Sequence, residues 1–273
     1  MKAVKDPLGD RIKTLYELPE TSRALPQDQP IYARIDGRAF SRFTQGLARP
    51  FDEQFAQTMR DTAAFLVRET GAACAYVQSD EISLVWRGKT PQSEHFFGGK
   101  VQKLCSVLAS LATSKFSLAG LERFPEHVRA RHPAFDCRVF AVPTLEEAAN
   151  CFVWRQLDAR KNSVSQLARA HFSAKQMHGQ SGRDLVARLR DEKGVAWDEL
   201  EPYYRLGAFL RPRAKMVELS DAEWERIPER HRPDSRAVMR TVIEETMCDL
   251  GREGDKVAWV FGAESETATA REG

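Results

Sequence analysis

"AYVQSDEISLVW" (residues 75–86) decides how this chain is read. Tyr76 and Val77 before the middle, and Ile82, Leu84, Val85 and Trp86 after it, are strand formers. Between them Asp80 and Glu81 stand side by side. Ser and Asp close turns by bonding nearby backbone N–H groups. Read alone, "QSDE" is therefore a hairpin tip with solvated acids. The rest of the chain decides whether those acids do more.

Working upstream, "IYARID" (31–36) alternates Ile31, Ala33 and Ile35 and stops at Asp36-Gly37, which reads as a strand. Residues 1–25 form a helix-containing lead-in closed by "LPQDQP". "FDEQFAQTMRDTAAFLVRET" (51–70) places Phe51, Phe55, Met59, Thr62, Ala63 and Leu66 at helical spacing, with Gly71 as its stop. Downstream, "FFGGKVQKLCSVLASLATSKFSLAG" (96–120) aligns Phe97, Val101, Leu104, Leu108 and Leu111 in one helical stripe. "FDCRVFAVP" (135–143) is a strand. Residues 144–172 are a helix opening on a capping box, Thr144 with Glu147, and Phe152 and Trp154 read as core.

The order β-α-β-β-α-β-α begins with the six elements of a ferredoxin-like βαββαβ unit. The expected fold is therefore α+β. A polymerase-type palm covers residues 1–172, and an appended α/β region, 173–273, packs on it. In such a sheet the first strand lies beside the hairpin. Asp36 and Asp80 are then expected to meet at one sheet edge.

Paired carboxylates suit the hard Mg²⁺ ion, and two such ions can activate an attacking oxygen and stabilise a leaving phosphate. Gly37, beside Asp36, lets backbone and a triphosphate approach closely. Phosphoryl transfer also needs cations. Arg34, Arg38, Arg49, Lys100 and Lys103 are candidates, the two lysines standing three apart on a predicted helix. "DG" or "SDE" alone carries little weight; "RIDGRAF" followed after a helix by "QSDEIS" is a strong joint signal.

Bulk properties narrow the classes. The chain has 273 residues, 42% hydrophobic, with a net charge of +2, so any nucleic-acid footprint must be local. Five widely spaced Cys without C-x-x-C argue against a disulfide framework or zinc ribbon. "MKAVKDPLGDRIKTLYE" has no secretory apolar core, and no segment reads as a membrane span. A cytoplasmic protein without membrane association is expected.

"YARIDGRAFSRFT", "ARPFD", "AYVQSDEISL", "FDCRVFAVP" and "FVWRQLDARKNS" together resemble the tRNA-His guanylyltransferase family and its guanylyltransferase-like relatives. The likeness covers about residues 5–170 and reaches more weakly to "YYRLGA" (203–208). It implies an enzyme that adds nucleotides to the 5′ end of tRNA, in the 3′–5′ direction, with two Mg²⁺ ions. Asp36, Asp80 and the Gly37 carbonyl match the metal ligands, and Glu81 matches a further acid of the catalytic set. Arg34, Gly37, Arg38, Ala39, Phe40, Ser41, Arg49, Ser79, Lys100 and Lys103 fall where the family binds nucleotide. ATP or GTP would activate a 5′-monophosphate, and the 3′-hydroxyl of an incoming NTP would then attack it. A homotetramer is also implied.

The branch that adds one guanosine to tRNA-His carries "H-I-N-N-L-Y-N" where this chain has "RKNSVSQ" (160–166). Only Asn162 keeps that pattern. The departure favours relatives that repair truncated tRNAs by template-dependent addition. The alternatives are the single-guanosine enzyme and a non-catalytic RNA-binding relative; a diguanylate-cyclase-like palm lacks its hairpin signature here. RNA contacts are expected from Arg155, Arg160, Asn162, Arg205, Arg211 and Arg213, within a basic set that also includes Lys161, Arg169 and Lys215.

Overall fold

The computed structural model describes residues 6–88 and 95–262. Six strands form one antiparallel sheet: β1 (Ile31–Gly37), β2 (Cys74–Gln78), β3 (Glu81–Trp86), β4 (Phe135–Ala141), β5 (Ala208–Glu218) and β6 (Ala237–Thr246). Their order is β4-β1-β3-β2-β5-β6. The first four strands reproduce the expected ferredoxin-like arrangement, with β1 between β4 and the hairpin.

Side-chain alternation sorts this sheet into two buried faces. Ile31, Ala33, Ile35, Ile82 and Leu84 face one helical layer, α1 (Glu53–Thr70) and α2 (Val101–Arg123). That core is filled by Met59, Ala63, Leu66, Leu104, Leu108, Ala112 and Phe116. Tyr32, Tyr76, Val85 and Phe209 face α3 (Leu145–His171), which contributes Ala148, Ala149 and Phe152. Because both faces are covered, every residue of β2 and β3 is buried. A further helix, α4 (Gly182–Lys193), closes a third apolar cluster against the far end of α3. Val260 and Phe261 of α5 (Lys256–Phe261) join the second cluster.

Several boundaries differ from the sequence reading. The first long helix starts at Glu53, because Asp52 caps it by accepting the Phe55 N–H at 2.8 Å. Phe51 lies outside and stacks on Tyr204 at 4.5 Å. Gly71 ends that helix in the left-handed region, as read. α2 starts only at Val101, since Phe97, Gly98 and Gly99 all have positive φ. Phe97 thus leaves the apolar stripe and is exposed. By length and composition α2 could cross a membrane, contrary to the reading that no segment could; here its apolar stripe lies on the sheet. Phe152 is core, but Trp154 is 50% exposed.

The C-terminal region extends the palm's own sheet. β5 pairs with β2 through Ala75↔Leu210 and Val77↔Ala208, and β6 pairs with β5 along its length. Gly207, just before β5, has φ +68, and a Cβ there would lie 2.6 Å from Tyr76. This close approach lets the Tyr76 hydroxyl donate to the Leu206 carbonyl at 2.9 Å.

Gln156 of α3 ties the same region down. Its Nε2 donates to the carbonyls of Leu206 (2.9 Å) and Cys248 (2.7 Å), and its Oε1 accepts the Leu250 N–H (2.9 Å). Gln156→Leu would orphan the Cys248 carbonyl and the Leu250 N–H, while the Leu206 carbonyl would keep only the Tyr76 hydroxyl. It is expected to cost at least about 2 kcal/mol, read as a lower urea midpoint. An unchanged midpoint would show that Gln156 does not hold the two parts together.

Candidate active site

The site forms where β1 ends and the β2–β3 hairpin turns. The register sets Asp36 opposite Glu81, so those two side chains share the face under α3. Ser79 and Asp80 make the turn itself, and Ser79 supplies the positive φ, +48°, of a two-residue hairpin. The Gly37 N–H donates to the Asp80 carbonyl at 2.9 Å, fastening the tip to the strand end. A Cβ on Gly37 would lie 2.5 Å from the Phe40 ring and 2.9 Å from the Asp80 Cβ. Glycine is what permits that approach.

Asp36 and Asp80 line one cleft of about 630 Å³, within the range of small-molecule sites. Its walls are the 44–52 loop, the hairpin tip and one face of α3. Burial lifts the Asp80 carboxyl above its usual range, and the charge of Asp36 adds to this; the Ser79 hydroxyl, 3.1 Å away, pulls it back. Neither Asp36 nor Asp80 has an ion-pair partner among the described residues. A divalent cation would balance this pair. The described residues hold no cluster of three or more His, Cys, Asp or Glu suited to a metal. Two carboxylates and the Gly37 carbonyl nonetheless fit Mg²⁺, which takes one or two carboxylates and completes its shell with phosphate oxygens and water.

Glu81 lines the same cleft, opposite Asp36, with its carboxylate already engaged. It is buried, and Arg155 grips it with two bonds of 2.7 Å. Arg34 approaches to 3.9 Å, and Arg155 also meets Asp158 at 2.9 Å. Burial pushes the Glu81 carboxyl up, and Arg155 opposes that shift. The carboxylate is thus already charge-balanced and joins α3 to the sheet. Arg155, read as an RNA contact, is the buried half of this pair.

The remaining nucleotide candidates divide by position. Ser41, Arg49 and Ser79 line the cleft with Gly37 beside them, and Arg38 and Ala39 are exposed next to the strand end. Arg34 stands between Glu81 and the Trp154 ring, 5.7 Å from its centroid. Phe40 borders the cleft, but its ring packs on Phe43, Phe116 and Phe135 at 5.0, 5.3 and 4.9 Å. It serves the core, and only its backbone is left for a ligand. Lys100 and Lys103 lie at the opposite end of the sheet from the acids. α2 starts beside Leu25, whose N–H bonds the Gly99 carbonyl, and reaches the acid end only near Thr113, which accepts the Phe135 N–H. Ten residues of helix, about 15 Å, separate Lys103 from that point.

The expected RNA contacts do not form one surface. Arg211 is buried, 3.6 Å from the Trp259 ring centroid, and donates to the Trp259 carbonyl. Arg213 is 3.8 Å from Glu244, Arg160 pairs with Asp249 at 2.7 Å, and Arg205 donates to the Leu200 carbonyl. Only Asn162 of that set both lines the cleft and stands exposed. Sequence reading overlooked Asp158, Ser165 and Gln166 as lining residues. Their spacing of three and four from Arg155 and Asn162 was visible, but the helix was read for its apolar stripe.

Arg155→Ala leaves the buried Glu81 carboxylate with only Arg34, at 3.9 Å, and is expected to cost about 3 kcal/mol of folding stability by urea denaturation. A double change, Glu81→Gln with Arg155→Met, should recover part of that loss. Wild-type stability of Arg155→Ala would refute the role given to the pair.

Known proteins resemble this chain in sequence and fold. A family model described as tRNAHis guanylyltransferase matches residues 10–143. A bacterial tRNA(His) guanylyltransferase-like protein solved with ATP has a TM-score of 0.77 at 30% identity, covering 93% of this chain and 98% of that one. A bacterial tRNA(His) guanylyltransferase-like protein solved with GTP has a TM-score of 0.63 at 33% identity, covering 76% and 86%. A probable tRNA(His) guanylyltransferase of Dictyostelium discoideum is 33% identical over 143 residues, which is 51% of this chain and 54% of that relative. The chain therefore spans about half the length of that curated relative. With the fold matched over nearly the whole of a solved relative at 30% identity, the chain belongs to the tRNA(His) guanylyltransferase family of nucleotidyltransferases.

Proposed function

We propose that this chain adds nucleotides to the 5′ end of tRNA in the 3′–5′ direction, directed by the opposing strand. The observation that carries this reading is the Asp36–Asp80 pair, two carboxylates without an ion-pair partner among the described residues, in a cleft of about 630 Å³. In the first step a 5′-phosphate oxygen attacks the α-phosphorus of ATP or GTP and pyrophosphate leaves. In the second, the 3′-hydroxyl of an incoming NTP attacks the activated 5′ phosphorus and the nucleoside monophosphate leaves. Magnesium ions, held by Asp36, Asp80 and the Gly37 carbonyl, would supply charge neutralisation of the phosphates and activation of the attacking oxygen. Asp36 and Asp80 are the ligands. The Gly37 N–H keeps the tip in place, and the Glu81–Arg155 pair holds α3 over it.

Repair of truncated tRNAs is favoured over addition of a single guanosine to tRNA-His. The segment at 160–166 differs from that branch, and much of it is engaged in the fold. Arg160 pairs with Asp249, and the Ser163 hydroxyl accepts the Trp197 Nε1–H at 3.0 Å. A homo-oligomer belongs to the same reading. Leu8, Ile12, Leu15 and Tyr16 of the lead-in are exposed in the single chain, and its helices bury no residue.

Asp36→Ala and Asp80→Ala are each expected to lower nucleotide addition by about 10²-fold or more while leaving the urea midpoint near wild type. The assay is a 5′-truncated, monophosphorylated tRNA with NTPs and Mg²⁺, read by sequencing the 5′ ends. Template-matched extension on several tRNAs supports the reading. Turnover in either variant at the wild-type rate would remove it, and one untemplated G on a single tRNA would replace it with the narrower activity.

A further inference from the structure

The long wall of the cleft is α3. Asn162, Ser165, Gln166 and Arg169 line it at spacings of three and four, one face of the helix. Across the cleft runs the loop carrying Arg49 and Pro50. Gln166 Nε2 donates to the Pro50 carbonyl at 2.7 Å, so helix and loop are tied at that level. Arg49 adjoins the tie, and Arg169 lies less than one turn beyond it. Both guanidinium groups are exposed, and neither has an ion-pair or hydrogen-bond partner among the described residues. The cleft thus runs from Asp36, Asp80 and Asp158 at its floor to Arg49 and Arg169 at its mouth, where the Asp52 carboxylate is taken up by the Ala48 and Phe55 N–H groups.

The distance between floor and mouth points to the ligand. Ser79, beside Asp80, shares a small cavity with Asn162 and Ser163, so the floor lies between the levels of Arg155 and Asn162 on α3. Arg169 is seven residues past Asn162 and fourteen past Arg155, about 10 to 21 Å along the helix. A nucleic-acid strand advances about 3.4 Å per nucleotide, so that span is roughly three to six nucleotides. It suits consecutive phosphates of one strand, whereas a bound triphosphate keeps its charge at the floor.

We propose that Arg169, with Arg49 opposite, clamps the RNA backbone a few nucleotides in from the reacting 5′ phosphate. The guanidinium fork matches phosphate oxygens two at a time. The inference rests on the reading that the chain acts on tRNA, and it replaces the scattered basic residues Arg155, Arg205, Arg211 and Arg213 with one site on the path to the acids. Arg169 is a binding and positioning residue and does not touch the reacting atoms.

The test is binding of a 5′-monophosphorylated tRNA, followed by fluorescence anisotropy between about 50 and 200 mM salt, with ATP binding measured alongside by calorimetry. Arg169→Gln should weaken tRNA binding several-fold and reduce the log–log salt slope by about 1. Its ATP affinity and melting temperature should match wild type. Arg169→Lys should recover the slope, and Arg49→Gln added to Arg169→Gln should lower it further. Wild-type tRNA affinity and slope in Arg169→Gln would overturn the clamp alone, as would a loss confined to ATP. A wild-type protein that does not bind tRNA would overturn the functional reading and the clamp together.

Discussion

Two carboxylates held together with no ion-pair partner among the described residues are the constraint on which this structure turns. Asp36 and Asp80 repel one another, and burial adds to the cost of ionising Asp80. Backbone geometry holds them there. The β1–β3 register fixes Asp36, the left-handed Ser79 turns the hairpin, and the Gly37 N–H fastens the tip. The apolar layer beneath, α1 and α2, keeps that strand end rigid through Phe40 and Phe116. A fold that holds such a pair is prepared to bind a cation.

Asp80 and Glu81 are adjacent in sequence and opposite in role. Asp80 lies in the turn, without an ion-pair partner among the described residues. Glu81 opens β3, points beneath α3 and is neutralised by Arg155 and Arg34. The second arrangement supports the first. The buried ion pair brings the polar face of α3 over the hairpin tip and closes one wall of the cleft. It also takes Arg155 away from the exposed cleft wall, leaving Arg49 and Arg169 at the mouth without partners among the described residues.

The sheet and its acid pair were legible in the sequence for a definite reason. Strand alternation and hairpin composition are local signals, and the ferredoxin-like order then brings the end of β1 to the hairpin whatever the details of packing. The destinations of the basic residues were not legible. Arg155 differs from its neighbours only by facing a carboxylate 74 residues away in sequence, which no periodicity reports. Lys100 and Lys103 have helical spacing, but spacing does not say which end of a helix approaches a site. α2 runs antiparallel to β3 and carries both lysines to the far edge. Phe97 and Phe51 were misassigned because Gly98–Gly99 and Asp52 set the helix starts more sharply than apolar periodicity does.

The most direct measurement is divalent-cation stoichiometry. Mn²⁺ is titrated into the protein with a non-hydrolysable NTP analogue and followed by electron paramagnetic resonance, for wild type, Asp36→Asn and Asp80→Asn. The account predicts two bound ions in wild type and loss of occupancy in both variants, with thermal stability retained. Full occupancy in either variant would contradict it.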